Sequence, residues 1–295
     1  MRRYHSLALG IAALALTANS PGSRPRNACH LAAGDRSSYQ VNVPFTAIDG
    51  RIYVEATVNG RGPYIFALDT GASGVGRADS ALVAALDLPY GEESATSDGI
   101  RESKVRTVRI EALRLGGLSR SNLQVIMRDY RSRLAPEAAF AGILGREFFA
   151  DGLLIIDYGR KTISFSRKLA LDRSMPGALP YDRAFRVPVT ISGIAAEGNL
   201  DTGANVELVL PLAFYRQISG DAIALRDTGQ MTNSTIRTGR TILDGPVVVG
   251  GVRASRVPIK ISEQFPEVLI GAHFLQRGVV MIDQRSRTVA LCPLR

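Results

Sequence analysis

The feature that most constrains the fold of this chain is an internal repeat, because its two halves carry the same motifs in the same order. An apolar run leads into Asp-Thr-Gly at 69–71, and Ile-Leu-Gly follows at 143–145. In the second half Asp-Thr-Gly stands at 201–203 and Leu-Ile-Gly at 269–271. Counted from Asp to the last Gly, the separation is 76 residues in the first copy and 70 in the second. A spacing repeated this closely indicates two structurally similar units in one chain.

Each copy continues in the same way after its apolar-apolar-Gly motif. A brief helix is predicted at 146–149 and again at 272–275, and two apolar runs joined by a short polar turn follow in each copy. Short runs rich in Val, Ile and Leu between glycine-containing turns are typical of β-strands and hairpins. The sequence therefore predicts an all-β fold with short helices, arranged as two homologous β lobes.

Two breaks that contain Pro and Gly divide the chain. We predict a signal peptide at 1–18, a spacer or propeptide at 19–44, an N-terminal lobe at 45–167, a linker at 168–184 and a C-terminal lobe at 185–295. The chain has 295 residues, and 45% of them are hydrophobic. That length is sufficient for one large or two modest hydrophobic cores.

The first residues have the order of a secretory signal. Arg2 and Arg3 are followed by an apolar stretch at 7–16 and by small residues up to Ala18. The alternative is an N-terminal helix packed on the domain. The apolar stretch is too short to cross a bilayer, and no other segment is long and apolar enough to do so. We therefore expect an exported protein, periplasmic or secreted, without a membrane span.

The charge pattern bears on the choice of partners. The formal charge is +9, and loss of residues 1–18, which hold two arginines and no acid, would leave +7. Basic residues are scattered among acidic ones rather than collected in a run, which favours a solvated, mildly basic surface. No nucleic-acid partner is predicted.

The two cysteines, Cys29 and Cys292, lie near opposite ends of the chain. In an oxidising compartment they could form a disulfide that closes a very long loop. Two unpaired thiols are the alternative, and the sequence leaves both open.

The motifs together resemble those of a known family. An apolar residue before Asp-Thr-Gly-Ala, with apolar-apolar-Gly some 70 residues later, is similar to the pepsin/retropepsin group of aspartic peptidases, and the Ala after the triplet is closer to the retropepsin-like branch. The resemblance covers both copies, residues 45–295. It implies a bilobal acid-protease fold in which Asp69 and Asp201 are the catalytic residues and a protein or peptide is the substrate. Since both halves are present in one chain, a monomer is expected.

The chemistry of such a pair explains why two carboxylates are needed. Peptide hydrolysis without a covalent intermediate requires a base for the attacking water and an acid for the departing amine. Two carboxylates about 3 Å apart repel each other by several kcal/mol, and the pair therefore shares one proton near working pH. The charged member then acts as the base, and the protonated member polarises the carbonyl.

The resemblance also implies supporting roles for the neighbours of the two aspartates. Thr70 and Thr202 would hydrogen-bond across the contact between the lobes and hold both loops rigid. Gly71 and Gly203 would let the backbone approach the carboxylates without a Cβ. The apolar-apolar-Gly motifs would pass beneath the two loops.

A third Asp-Thr-Gly, at 227–229, lacks the features of the other two. Arg226 precedes it, no small residue follows it, and only 44 residues separate Asp227 from Gly271. We interpret it as a polar hairpin turn, like Ser-Asp-Gly at 97–99 in the first copy. The turn at 97–99 is predicted to form the tip of a flap that closes over the cleft on substrate.

The residue after each catalytic triplet predicts the pH dependence. Many acid-adapted relatives carry a hydroxyl there that hydrogen-bonds a catalytic carboxylate, whereas this chain has Ala72 and Ala204. Without that donor the pKa values of the pair should be higher, because the charged form loses a hydrogen bond. We therefore expect an optimum less acidic than that of a gastric enzyme.

Other chemistries have little support. The three histidines are His5, His30 and His273, and no Gly-x-Ser-x-Gly accompanies them. No His-Glu-x-x-His or paired cysteine spacing is present, and the glycine-rich stretch at 71–76 has no Walker lysine, so no metal or cofactor is predicted. The main alternative is a non-catalytic peptide-binding module on the same fold, although relatives of that kind usually lose one aspartate.

Overall fold

The computed structural model describes residues 27–33, 36–98, 100–133 and 136–294, and the predicted signal peptide lies outside them. The prediction of an all-β fold with short helices is confirmed. The strands of the first half are β1 (Val41–Pro44), β2 (Thr46–Ile48), β3 (Arg51–Val58), β4 (Arg61–Leu68), β5 (Gly76–Asp79), β6 (Tyr90–Ser97), β7 (Glu102–Leu115), β8 (Leu118–Arg128), β9 (Gly142–Leu144), β10 (Leu153–Asp157) and β11 (Thr162–Ser166). Those of the second half are β12 (Leu179–Pro180), β13 (Arg186–Ile191), β14 (Ile194–Asp201), β15 (Leu208–Pro211), β16 (Asp227–Gln230), β17 (Thr235–Leu243), β18 (Val247–Val249), β19 (Val252–Ala254), β20 (Val257–Ser262), β21 (Val268–Gly271), β22 (Gly278–Asp283) and β23 (Thr288–Pro293).

The helices are short. They are the α-helices α1 (Ser80–Leu86), α2 (Leu212–Ser219) and α3 (Ala272–Leu275) and the 3-10 helices Ala28–Ala33, Arg36–Ser38, Arg131–Arg133, Pro136–Ala138 and Arg146–Phe149. The brief helices predicted after the two apolar-apolar-Gly motifs are both present. In the described part of the chain, none of the helices has the length and apolar character needed to cross a bilayer.

Three sheets organise these strands. The first sheet has the order β2-β3-β4-β9-β5-β8-β7-β6, and the second has the order β16-β17-β20-β15-β21-β14-β13-β18-β19. Each of them contains one strand that leads into an Asp-Thr-Gly triplet, at 69–71 or 201–203, flanked by a parallel strand from the apolar-apolar-Gly motif. The third sheet, β1-β11-β10-β22-β23-β12, draws strands from both halves and joins them through the antiparallel pair β10 and β22.

The alternation of side chains along the strands explains how the core forms. In β4, Phe66 and Leu68 are buried in the main hydrophobic cluster, whereas Ala67 belongs to a separate cluster on the opposite face. Period-two alternation of this kind places successive side chains on opposite faces of a sheet. The main cluster also receives buried residues from the second half, such as Leu200 and Ile270, so the core is continuous between the two halves.

The structure corrects the predicted spacer and linker. Val41–Pro44, within the predicted spacer 19–44, forms β1 and pairs with β11, because its alternating valines place Val41 in the core. Leu179–Pro180, within the predicted linker, forms β12 and pairs with β23. The cysteines left open by the sequence form a disulfide, with their Cα atoms 5.6 Å apart, which ties Ala28–Ala33 to β23.

The prediction of a turn at the third Asp-Thr-Gly is wrong. Asp227–Gln230 is the strand β16 rather than a turn, and it pairs in register with β17 from Asp227 opposite Thr238. The turn of this hairpin is Met231–Ser234, closed by a hydrogen bond from the N–H of Met231 to the carbonyl of Ser234. Met-Thr-Asn-Ser at 231–234, rather than the triplet, supplies the turn residues of this hairpin.

Candidate active site

The two predicted catalytic aspartates stand in equivalent positions of the two sheets. Asp69 follows the last residue of β4, and its N–H donates to the carbonyl of Leu144 over 3.1 Å. Asp201 is the last residue of β14 and lies opposite Gly271 on the parallel strand β21. The apolar run before each triplet therefore forms a buried strand, and each apolar-apolar-Gly motif supports one aspartate from the neighbouring strand.

The structure brings the two carboxyl groups together between the sheets. A Cβ added to Gly71 would lie 2.5 Å from an Oδ atom of Asp201, and a Cβ added to Gly203 would lie 2.4 Å from Cγ of Asp69. The glycine of each triplet is thus in contact with the carboxylate of the other triplet. Since real Cβ atoms do not approach other atoms so closely, only glycine fits at either position.

Thr70 and Thr202 connect the two triplets by reciprocal hydrogen bonds. The N–H of Thr70 donates to Oγ1 of Thr202, and the N–H of Thr202 donates to Oγ1 of Thr70, both over 3.0 Å. Each hydroxyl in turn donates to a carbonyl of the opposite strand, that of Leu200 at 3.2 Å and that of Leu68 at 2.9 Å. Because both threonines are buried, this four-bond brace fixes the separation of the two loops.

Burial and proximity alter the acidity of the pair. Burial raises the pKa of Asp201, and the neighbouring charge of Asp69 raises it further, to about 7. The backbone N–H of Gly203 opposes this effect by donating to Oδ1 of Asp201 over 2.8 Å. The N–H of Ala72 donates in the same way to Oδ1 of Asp69 over 2.9 Å. The pair is therefore suited to hold one proton near neutral pH.

A polar brace that the sequence did not indicate joins the first sheet to the second triplet. Arg51, the first residue of β3, donates from Nε to the carbonyl of Gly203 over 2.9 Å and from Nη2 to Asn205 over 3.5 Å. Asn205 donates to Asp49 over 2.5 Å, and Asp49 also lies 3.3 Å from Nε2 of His273. Asp49 and Arg51 lie more than 150 residues before their partners in the second half, so no local pattern of the sequence pairs them. His273 is part of this brace.

The tips of two hairpins, one from each sheet, meet at a second contact. Asp98, in the turn between β6 and β7, accepts on Oδ2 from the N–H of Asn233 over 2.7 Å and from the hydroxyl of Ser234 over 2.8 Å. Its Oδ1 accepts from the N–H groups of Ile100 and Arg101, which orders its own turn. The hairpin turn predicted around Asp98 is therefore present, and its carboxylate connects it to the turn between β16 and β17.

Asn233 makes most of the remaining contacts between the tips. Its Nδ2 donates to the carbonyls of Arg101 over 3.0 Å and Thr96 over 3.3 Å. Its Oδ1 accepts from Ser103 over 3.1 Å and from Arg128 over 2.9 Å. No local sequence pattern indicates this role, because the partners of Asn233 lie more than 100 residues away along the chain.

A comparison with known protein families finds a match in the first half of the chain. Residues 54–148 match the family model described as aspartyl protease. The matched segment contains the first triplet, the first hairpin and Leu144–Gly145, and it ends before the second triplet. A search of the curated proteins found no match. The finding supports an aspartic-protease-like family and, in general terms, aspartic peptidase activity.

Proposed function

We propose that this protein is an aspartic endopeptidase that hydrolyses peptide bonds of a protein or peptide substrate with water activated between Asp69 and Asp201. The observation that carries the proposal is the approach of the two carboxyl groups, each packed against the glycine of the opposite triplet. Two carboxyls packed this closely cannot both ionise readily, and one proton shared between them gives a base and an acid in one site.

The reaction follows from that protonation state. One proton and one negative charge belong to the pair as a whole, and the steps are written with the proton on Asp201 and the charge on Asp69. Asp69 takes a proton from water as the water oxygen bonds to the carbonyl carbon, and Asp201 gives its proton to the carbonyl oxygen. As the C–N bond breaks, the nitrogen takes the proton held by Asp69 and one diol hydroxyl returns a proton to Asp201. The pair is then back in its starting state.

The surroundings support this assignment. Thr70 and Thr202 hold the loops at a fixed separation, and Gly71 and Gly203 leave room for the carboxylates, so the pair is positioned before substrate arrives. Both aspartates come from one chain, and the proposed active unit is therefore a monomer. The mechanism requires no metal or cofactor.

We further propose that the protein is exported, to the periplasm or the medium. The basic and apolar order of residues 1–18 and the disulfide between Cys29 and Cys292 both support this. The test is the N-terminal sequence of the protein recovered from fractionated cells of its host. A cytoplasmic protein that still begins at Met1 would contradict export without affecting the proposed chemistry.

The activity is tested by cleavage of denatured casein and of a peptide library between pH 3 and pH 7, using protein purified without residues 1–18. The variants Asp69→Asn and Asp201→Asn are expected to lose at least 1000-fold in kcat, because removing either carboxyl removes the shared proton pair. Asp227→Asn is the matched control, since Asp227 belongs to the third Asp-Thr-Gly and contacts only the exposed Arg240 as an ion pair in the described structure. Full cleavage by either dyad variant would contradict the mechanism, and peptide binding without cleavage by the wild type would indicate the non-catalytic alternative.

A further inference from the structure

One row of side chains crosses the first sheet on the face that carries Asp69. Tyr53 pairs with Ala67, Ala67 with Ile143, and Ile143 with Arg77, on the adjacent strands β3, β4, β9 and β5. Directly paired residues of neighbouring strands project to the same face of a sheet. Ala67 precedes Asp69 by two residues, and period-two alternation places both on this face as well. The row therefore borders the catalytic pair.

Arg77 is the one charged member of this row, and it is buried. Only 8% of its surface is exposed, and its Nε lies in the interior without a hydrogen-bond acceptor among the described residues. The neighbouring residues of β5 face the other way: Ala78 is in the main core, and a Cβ on Gly76 would approach Leu113 there. A buried guanidinium N–H without an acceptor is costly, because its hydration is lost and not replaced.

Tyr130, which lies beside Arg77, also has a buried donor without an acceptor. The hydroxyl of Tyr130 is buried; Arg77 lies close enough to donate to its oxygen, and its O–H has no acceptor among the described residues. Burial raises the pKa of Tyr130; the charge of Arg77, its hydrogen bond and the charge of Arg128 oppose this, and the charge of Asp69 adds to it. Tyr130 therefore remains protonated at neutral pH and can donate. Because the charges of Asp69 and Arg77 both affect the pKa of Tyr130, the three residues lie close together.

Aromatic rings enclose the two donors. The ring centroids of Tyr130 and Phe140 are 5.0 Å apart, and those of Phe140 and Tyr53 are 6.1 Å apart. Tyr53, Phe140 and Ile143 form one cluster with the small residues Ala67 and Ala72. Strands are about 4.8 Å apart, so the Cα of Arg77 is about 10 Å from that of Ala67 across the row, within the reach of its long side chain. The cluster therefore connects the row that contains Arg77 with Ala72, three residues after Asp69.

Asp79, the acidic residue on the same strand as Arg77, already accepts hydrogen bonds from other groups. Asp79 accepts on Oδ1 from the N–H of Ala81 and on Oδ2 from the N–H of Tyr130, both over 2.9 Å. Arg131 also lies 3.6 Å from Asp79. Asp79 therefore orders the segment that carries Tyr130 and is not directed to Arg77. Nε of Arg77 and the O–H of Tyr130 therefore have no acceptor among the described residues.

We propose that Arg77 and Tyr130 form a subsite for an acidic residue of the substrate, next to the scissile bond. An ionised Glu or Asp side chain is an acceptor with two oxygens, and it complements a guanidinium fork and a hydroxyl donor. The aromatic wall would contact the apolar part of that side chain. This inference rests on the proposed peptidase function, since it names the substrate class of that site.

The test compares paired peptides that differ only by Glu or Gln at one position, scanned through four residues on each side of the cleaved bond. At one position the wild type is expected to cleave the Glu peptide with a kcat/KM at least tenfold higher than the Gln peptide. In Arg77→Gln this ratio should fall to about one. Tyr130→Phe should lower the ratio in part. Arg109→Gln, which removes one exposed charge from β7, is the matched control and should leave the ratio unchanged.

A second measurement separates this inference from the proposed function. Binding of the same fluorescein-labelled peptides to the Asp201→Asn variant is followed by fluorescence anisotropy at pH 6. Tenfold tighter binding of the Glu peptide, lost in Asp201→Asn/Arg77→Gln, would support the subsite even if the wild type cleaved nothing. Equal affinity for Glu and Gln peptides at every position, or a preference that persists without Arg77, would overturn it. Cleavage of neutral peptides in that case would leave the proposed function intact.

Discussion

Thr70 and Thr202 each accept the backbone N–H of the other through their hydroxyl oxygens, at 3.0 Å in both directions. The two bonds are buried, and they connect loops 132 residues apart in the chain. Rigid placement of both aspartates thus depends on two side chains that take no part in the proton transfers.

We expect Thr70→Val to destabilise the protein by about 2–5 kcal/mol and to lower kcat strongly. Valine has the shape of threonine, but it leaves the N–H of Thr202 and the carbonyl of Leu200 buried without their partner, at about 1–3 kcal/mol each. Unfolding in urea and steady-state kinetics check this. Thr70→Ser, which keeps the hydroxyl, is the control and should retain most of the activity; an equal loss in Thr70→Ser would show that the methyl group, not the hydrogen bond, is what matters.

A second prediction concerns the glycines of the triplets. Gly71→Ala or Gly203→Ala would place a methyl group about 2.5 Å from the opposite carboxyl group, and the pair must then separate. We expect a loss of at least 100-fold in kcat. The matched control is Gly229→Ala in the third Asp-Thr-Gly, where the added Cβ would lie 3.2 Å from side-chain carbons of Ile236 and Thr238, which can adjust. Comparable losses in all three variants would contradict a specific role for the first two glycines.

The sequence was sufficient for the fold class and for most of the candidate site, because the repeat, the apolar runs and the triplets are all local patterns. It failed where a residue's role depends on distant partners. Arg51 contacts Gly203, 152 residues away, and no periodicity reports such a pair. Asp227 was assigned to a turn because Asp and Gly favour turns, but its pairing with β17 makes it a strand residue.

The contact between the hairpin tips leads to a prediction about local opening. Burial opposes ionisation of Asp98, but the N–H groups of Arg101 and Asn233 and the hydroxyl of Ser234 outweigh it and lower its pKa to about 2. Asp98 therefore stays ionised between pH 3 and pH 7. Asn233→Ala removes the side-chain bonds from the second tip to the first, and we expect amide hydrogen exchange at 96–103 and 231–235 to become at least tenfold faster.

Mass-spectrometric exchange on the intact protein provides the check for this opening. The neighbouring variant Thr232→Ala is the control and should exchange like the wild type. The strands β4 and β14 should keep their protection in both variants. Unchanged exchange at the tips of Asn233→Ala would mean that packing, rather than Asn233, holds the hairpins together.

The pKa of Asp201 predicts the pH dependence of both activity and stability. Since the active pair needs its shared proton, kcat should fall as the pH rises through about 7. A carboxyl whose pKa is raised in the folded state binds its proton there more tightly than in the unfolded chain. This contribution to the free energy of unfolding is fully present below about pH 4 and is lost as the pH rises towards 7. Asp201→Asn should therefore become more stable relative to the wild type between pH 4.5 and pH 7, as measured by urea unfolding.

The alanines after the two triplets provide the way to shift this dependence. Ala72→Ser and Ala204→Ser introduce a hydroxyl beside the pair, and a donor to the charged carboxylate favours ionisation and lowers its pKa. The alkaline limb of the pH–kcat profile should then move to lower pH, by about half a unit or more. Ala84→Ser, on the exposed side of α1, is the control and should leave the profile in place. A profile that stays unmoved in Ala204→Ser, with the protein folded, would mean that burial alone sets the acidity of the pair.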